Sequence, residues 1–142
     1  MLTPSIISYT PLGSGLLTGK VKKTDDLTGY AKTRPSNQPG AFEANLKLVN
    51  KLEEWAAKKG CTPAQFAINW VASLSKRPGM PVIIPIPGGA RVERVQENLK
   101  VVELTNEDMD EVDTFLKDFK LTGEWLGGHV KSIMDKTDTA EI

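Results

Sequence analysis

The sequence has very few residues that could crosslink the chain or hold a metal ion. Its 142 residues include a single cysteine, Cys61, and a single histidine, His129. One cysteine cannot close a disulfide within the chain, and these two residues cannot assemble a His/Cys metal cluster. We therefore expect no disulfide, no metal site and a reducing, cytoplasmic setting.

The sequence also lacks an excess of either charge. Eighteen basic residues balance 18 acidic ones, the pI is about 6.6, and no run of five like charges occurs. Attraction to phosphates dominates affinity for nucleic acid, so this balance argues against a nucleic-acid partner. The 39% of apolar and 25% of charged residues are typical of an ordinary globular domain.

Hydrophobic stretches long enough to cross a membrane are missing as well. Residues 1–19 carry no charge, but Pro4, Pro11, Gly13 and Gly15 interrupt them. About 20 consecutive apolar residues are needed to span a bilayer as a helix. We therefore interpret this region as a strand and a loop, and we expect no membrane partner.

Two short apolar runs, residues 5–9 and 82–84, predict β-strands. Glycine and proline residues follow each run and mark loops. The second run is continuous, as in parallel strands that are buried on both faces. We expect two buried, parallel strands that lead directly into glycine loops.

Apolar residues at helical spacing predict four helices around these strands. The first covers residues 42–59 and ends before Gly60, which suits a C-terminal cap. Thr62 and Gln65 form a capping box for a second helix that reaches about residue 75. A short third helix follows residue 91, and a second capping box at residues 105–108 begins the fourth. Residues 20–40 are polar without a sustained period and predict a long loop, of the kind that often forms a lid or a mobile segment.

The turn at residues 87–89 is followed by two arginines, Arg91 and Arg94, in the first turns of the third helix. Cations at a helix N-terminus oppose the helix macrodipole, and a bound anion would resolve that conflict. The glycine turn and two guanidinium groups would then form a phosphate site. Alternatively, the turn is ordinary and both arginines are solvated or paired with Glu93 and Glu97. Spacing alone does not separate these two interpretations.

A second transition from a strand into glycines occurs at residues 9–15, after the first strand. Tyr9 offers a flat ring at the end of the strand, and the glycines allow a ligand to approach the backbone closely. Taken alone, this segment favours a tight turn under a packed tyrosine. In parallel α/β barrels, however, phosphates bind preferentially at the loops after the last two strands.

These segments resemble those of the aldo-keto reductases. Residues 9–20, YTPLGSGLLTGK, are similar to the segment after the seventh barrel strand of that family. Residues 84–88, IPIPG, and 94–99, RVQENL, resemble the eighth strand and the helix after it. Residues 62–67, TPAQFA, and Trp70 are also typical, so the resemblance covers residues 5–118. The wording of residues 85–99 is closest to the pyridoxal reductases of fungi.

The resemblance implies an α/β fold, the C-terminal portion of a (β/α)8 TIM barrel. This portion comprises the last two strands, their helices and a C-terminal extension, with residues 1–142 forming a partial domain and 120–142 its loop or tail. A complete barrel needs about 250 residues, so we expect further strands to be missing. Two parallel strands cannot cover their own edges, and self-association could cover them instead.

The resemblance also implies NADP as cofactor, with its nicotinamide and pyrophosphate near the first strand. Tyr9 would stack on the nicotinamide. The backbone after it would line the pyrophosphate, through Thr10, Leu12, Gly13 and Ser14.

The adenosine end of NADP would lie near the second strand. Gly88 and Gly89 would pass under the adenosine phosphate, and Arg94 would contact the 2′-phosphate. Glu97 and Asn98 would hold the adenine. Many members of the family have a lysine at the position of Gly88, and Arg91 is the candidate to compensate for it.

The family's catalytic Asp, Tyr, Lys and His come from strands that this sequence does not contain. His129 matches none of these positions, Tyr30 has no assignable lysine partner, and Cys61 fits a small packing residue better than a nucleophile. We therefore assign no catalytic residue. The resulting hypothesis is the cofactor-binding portion of an NADP-dependent reductase of carbonyl compounds such as aldehydes or pyridoxal, inactive alone. The alternative is a non-catalytic subunit that senses nucleotides or binds another protein.

Overall fold

The computed structural model describes residues 4–124, which form a two-stranded sheet and four α-helices. In chain order the elements are β1 (Ser5–Tyr9), α1 (Ala41–Lys58), α2 (Pro63–Ser73), β2 (Val82–Ile86), α3 (Val92–Asn98) and α4 (Asn106–Asp118). All six elements were predicted in this order, and the prediction is confirmed. Short 3-10 turns follow β1 and α2 and divide the long loop before α1. None of the helices in residues 4–124 is both long and apolar enough to cross a bilayer.

The two strands pair in parallel, with Ile7 opposite Ile84 and Tyr9 opposite Ile86. The prediction that both strands are buried is wrong. Ile7 is 54% exposed and Ile84 44% exposed, whereas Ile83 is buried. Successive side chains of a strand point to opposite faces, and α2 packs against β2 on the face that holds Ile83. On that same face Ile6 of β1 is still 47% exposed. The other face, formed by Ile7, Tyr9, Val82, Ile84 and Ile86, is an exposed apolar sheet face.

The two outer edges of the sheet differ. On β2, the Ile83 N–H donates to Ser75 Oγ at 2.8 Å, and the Ser75 hydroxyl donates back to the Ile83 carbonyl at 3.3 Å. Pro85, whose backbone faces the same edge, has no N–H to offer. Backbone groups alternate between the two sides of a strand, so those of Ile7 and Tyr9 face the outer edge of β1. Among residues 4–124, nothing covers that edge.

The main hydrophobic core lies between α1, α2 and α4. Trp55 of α1 stacks on Phe66 at a centroid distance of 5.9 Å and meets the edge of Phe115 at 5.5 Å. The apolar stripe of α4 enters this core through Met109 and Val112, which are both buried. In α2, residues 64–68 are all buried, which confirms that this helix is covered on more than one side.

The helix ends follow the predicted caps. Gly60 has a φ of 63°, its N–H donates to Ala57, and the Cys61 N–H donates to Ala56, which together form a Schellman motif. Thr62 and Gln65 make the predicted reciprocal cap of α2. Thr105 and Asp108 form the second capping box, at the start of α4. Both capping boxes therefore begin their helices where the sequence predicts.

The polar loop at residues 20–40 differs from its prediction. It folds into three 3-10 turns, and its few apolar residues, Val21, Leu27 and Ala31, are buried against Phe42 and Val49 of α1. These side chains form a second core, separate from the main one. Their contacts with α1 anchor the loop. The loop is therefore packed in place.

Asn45 of α1 joins this loop to the segment after α4. Its side chain is 1% exposed, and its amide donates to the carbonyls of Ser36 and Thr122, both at 2.9 Å. Its carbonyl accepts the Thr122 N–H at 2.9 Å. Gly123 then passes so close to Pro35 that an added Cβ would lie 2.7 Å from the Pro35 carbonyl oxygen. Of the predicted tail at 120–142, the residues after 124 lie outside the described part of the chain.

Candidate functional site

A cavity of about 740 Å³ opens at the C-terminal ends of β1 and β2. Tyr9 and Ile86, the last residues of the two strands, lie at its base. One wall is the segment after β1, another is the packed loop, and a third is the glycine turn with α3. Parallel α/β sheets commonly bind ligands in this position, outside the carboxyl ends of their strands.

Nine of the eleven residues predicted to bind the cofactor line this cavity. They come from two segments that are more than 70 residues apart in the chain: Tyr9, Thr10, Leu12, Ser14, Gly88, Gly89, Arg94, Glu97 and Asn98. Gly13 and Arg91 do not line it. Gly13 is buried and its N–H donates to the Thr10 carbonyl, so it shapes the turn. Arg91 is the exposed N-cap of α3, and its position does not support compensation for the lysine absent at Gly88.

The segment after β1 has an unusual backbone. Thr10 and Ser14 have φ angles of 53° and 55°, in the left-handed region that residues with side chains rarely adopt. For a β-branched residue such as Thr10 this conformation is strained, and such strain concentrates at ligand sites. Gly13 and Gly15 share the left-handed conformation, so the chain turns sharply around the mouth of the cavity.

The turn at Gly88 and Gly89 packs directly on α3. An added Cβ at Gly89 would lie 2.6 Å from Cγ2 of Val95, whereas one at Gly88 would have no atom within 4 Å. Asn98 reaches back from the end of α3 and donates to the Gly88 carbonyl at 3.3 Å. The Asn98 amide thus supports the turn in addition to lining the cavity.

Of the two forms of the alternative interpretation, pairing with glutamates is excluded among the described residues, whereas solvation of the arginines is compatible with their exposure. Within residues 4–124, neither Arg91 nor Arg94 forms an ion pair with Glu93 or Glu97. The helix has only seven residues, so its dipole offers little to an anion. Among the residues of α3, Arg94 is the cation that lines the cavity.

Sequence reasoning missed the contribution of the packed loop to the cavity. Lys20, Asp26 and Thr28 line it, and Lys20 adds a second cation to that of Arg94. The N–H groups of Lys22 and Lys23 donate to Asp26 at 2.9 and 3.1 Å and lower the pKa of its carboxyl. The only available signal was a polar segment directly after a glycine loop. Which of its residues face the cavity depends on how the second core anchors it.

The other candidates for chemistry lie away from this cavity or cannot be placed. Tyr30 is outside the lining, and the Arg34 guanidinium lies 5.3 Å from the centre of its ring. Cys61 packs against the main core, and burial raises the pKa of its thiol, opposed by the nearby Lys100 and Lys59. This confirms that Cys61 is a packing residue. His129 lies outside the described residues.

Comparison with known proteins assigns the family. A family model described as "Aldo/keto reductase family" matches residues 5–117. The chain belongs to this family. It is 35% identical over 130 residues to a probable pyridoxal reductase 2 of Schizosaccharomyces pombe, a match that covers 86% of this chain and 38% of that protein.

Two further curated relatives are similar in kind. A putative pyridoxal reductase of Saccharomyces cerevisiae is 33% identical over 131 residues, covering 84% of this chain and 38% of its own length. An aldo-keto reductase of S. pombe, whose name specifies NADP(+), is 34% identical over 106 residues. This match covers 73% of the present chain and 30% of that protein. The chain thus spans between 30% and 38% of the length of these three relatives. Their names confirm the predicted resemblance to the pyridoxal reductases of fungi.

A solved structure supports the fold. The glycerol dehydrogenase of Gluconobacter oxydans aligns with a TM-score of 0.60 and 26% identity, over 84% of this chain and 36% of that one. The paired strands and the helices of the present chain are therefore consistent with part of a (β/α)8 TIM barrel.

Proposed function

We propose that this chain is the C-terminal, NADP(H)-binding portion of an aldo-keto reductase barrel. In this proposal β1 and β2 are the last two strands of the barrel. The protein as a whole transfers a hydride between NADPH and a small carbonyl compound, and pyridoxal is the carbonyl that the names of two relatives favour. The chain supplies cofactor binding to that reaction.

The observation that carries this proposal is the convergence of two distant segments on one cavity. Residues 9–14 and 88–98 are brought together only because β1 and β2 pair in parallel and end at the same edge. The cavity combines a strained, glycine-rich backbone, a glycine turn and the cations Lys20 and Arg94. These features suit a ligand that carries several phosphates.

The proposed roles divide along the cavity. Tyr9, 55% exposed, offers its ring to the nicotinamide, and Thr10, Leu12 and Ser14 border the pyrophosphate. At the other end, Arg94 contacts the 2′-phosphate and distinguishes NADP from NAD. Glu97 and Asn98 border the adenine, while Gly89 permits the close approach of the turn to α3.

The proposal assigns no proton donor for the carbonyl oxygen to this chain. When NADPH is bound, it supplies the hydride, and the residues described here orient and hold it. General acid catalysis contributes about 10²- to 10⁴-fold to such reactions. We therefore expect the chain alone to bind NADPH without reducing aldehydes or pyridoxal.

The two tyrosines of the chain provide a matched test. Tyr9 and Tyr30 are 55% and 49% exposed, but only Tyr9 lines the cavity. We predict that Tyr9→Ala weakens binding of both NADPH and NADH about tenfold, since stacking on a ring contributes roughly 1 to 3 kcal/mol, while Tyr30→Ala leaves both unchanged. Titration of the chain with each nucleotide, followed by cofactor fluorescence, measures these constants. Absence of saturable NADPH binding, or equal effects of the two variants, would refute the proposal.

A further inference from the structure

The helix that carries Arg94 is attached to the protein in an unusual way. None of the residues of α3 is buried: its apolar side chains Val92 and Val95 are 68% and 41% exposed, and Leu99, directly after the helix, is 74% exposed. Helices in proteins are normally held by an apolar face that packs against the core. In this structure α3 makes little such contact, so other interactions must fix its position beside the cavity.

Two amide side chains of α2 supply those interactions. Gln65 and Asn69 lie one turn apart on the same face of α2. The Gln65 amide donates to the Glu97 carbonyl at 3.2 Å, and the Asn69 amide donates to the Lys100 carbonyl at 3.0 Å. Glu97 lies in the last turn of α3, and Lys100 lies two residues after the helix ends.

Both polar groups of the Gln65 side-chain amide form hydrogen bonds. Its carbonyl oxygen accepts the Thr62 N–H at 3.1 Å in the cap of α2, and its amide nitrogen is left for α3. The residue is only 6% exposed. A buried amide with both groups paired has little freedom to move, so it transmits the position of α2 to α3.

We propose that Gln65 and Asn69 are positioning residues that hold α3, and with it Arg94, at the adenosine-phosphate end of the cavity. Neither side chain contacts the ligand in this scheme. They act through the backbone of residues 97–100. This inference rests on the proposed function, because it assumes that α3 faces the phosphate of NADP.

Three uncharged substitutions separate positioning from stability. Gln65→Met removes one of the two reciprocal hydrogen bonds of the α2 cap, that of the Thr62 N–H, together with the link to α3. Thr62→Val removes the other cap bond, that of the Gln65 N–H, and leaves the link to α3 intact. Asn69→Leu removes the link to the Lys100 carbonyl and, within α2, the hydrogen bond of the same amide to the Gln65 carbonyl. All three variants should unfold somewhat more easily than the unmodified chain.

Two measurements on the full chain then decide the issue. Hydrogen exchange of the α3 amides should accelerate in Gln65→Met and Asn69→Leu, but not in Thr62→Val. The ratio of the NADH to the NADPH dissociation constant should fall about threefold to tenfold in the first two variants, the effect of losing one hydrogen bond. It should be unchanged in Thr62→Val.

The outcomes distinguish the inference from the function on which it rests. Unchanged exchange of α3 in Gln65→Met and Asn69→Leu overturns the positioning role, whatever the nucleotide data. A ratio that stays constant while α3 exchanges faster overturns the link between α3 and the 2′-phosphate. If the unmodified chain does not bind NADPH, the proposed function fails, and the exchange data still decide whether the two amides hold α3.

Discussion

Arg91 and Arg94 are three residues apart, yet only Arg94 lines the cavity. We predict that Arg94→Ala weakens NADPH binding by about 1.5 to 3 kcal/mol, roughly 10- to 150-fold, because a charge-assisted contact is lost. NADH lacks the 2′-phosphate, so its dissociation constant should change far less. Arg91→Ala is the matched control and should affect neither nucleotide. Equal weakening of both nucleotides by Arg94→Ala would mean that Arg94 supports the structure instead.

Gly123 and Gly79 allow a second test at a single residue. Their φ angles are 78° and 77°, but a Cβ at Gly79 meets open space whereas one at Gly123 meets Pro35. Gly79→Ala should lower the free energy of unfolding by about 1 kcal/mol through backbone strain alone. Gly123→Ala should cost about 1 to 3 kcal/mol more, because the backbone of Pro35 must move. Denaturant unfolding compares the two, and equal losses would contradict the close contact at Pro35.

Individual residues were predictable from sequence where a local motif specifies them. Tyr9 ends β1 and Gly88 follows β2, and both line the cavity. The motif could not show that Arg91 does not line the cavity, since that depends on where α3 begins. Nor could it reveal Lys20, whose position depends on the burial of Val21 and Leu27, side chains distant from any motif.

At the scale of the elements, the cap of α4 is linked to pH. Thr105 and Asp108 cap the helix reciprocally, and Asp108 also pairs with Lys59 at the end of α1. Partial burial raises the pKa of the Asp108 carboxyl, but hydrogen bonds from Lys59 and Thr105 outweigh it, and the pKa lies below the ordinary value of 3.8. The charged carboxylate therefore stabilises the folded chain to its full extent at pH values above the ordinary pKa of 3.8.

We predict that Asp108→Asn lowers the free energy of unfolding by about 0.5 to 1 kcal/mol near neutral pH. The difference from the unmodified chain should vanish as the pH falls through the lowered pKa of Asp108, because its carboxylate is then protonated in both states. Asp110→Asn, the same change at an exposed position of α4, is the control. Urea unfolding between neutral and acidic pH measures both, and a difference independent of pH would refute the role of the carboxylate.

The elements themselves were predictable because their signals are local. Capping boxes and Gly60 define helix ends within four residues of sequence. Whether a strand is buried depends on the elements that pack against it, and the prediction that both strands are buried was wrong. The strands read as buried because Val82, Ile83 and Ile84 are all apolar, but a strand is buried only when something covers each face.

The whole molecule exposes the apolar sheet face defined above, with side chains 44–55% exposed. Contiguous apolar surface of this kind favours association. We predict that the chain self-associates in solution, and that sedimentation shows a weight above that of the monomer, rising with concentration. Ile84→Lys should weaken the association, whereas Val101→Lys, at an exposed position outside the sheet, should not. A monodisperse monomer with sharp, cooperative unfolding would contradict this prediction.

The unequal edges of the sheet limit how far such an assembly can grow. Ser75 and Pro85 close the outer edge of β2, so a further strand can add only beside β1. Two copies that pair through β1 consume this edge in both partners, in a self-complementary contact with two-fold symmetry. Among the described strands, no edge then remains for a third copy. Edge addition terminates there, and a fibre of stacked strands would first require β2 to lose its Ser75 cover.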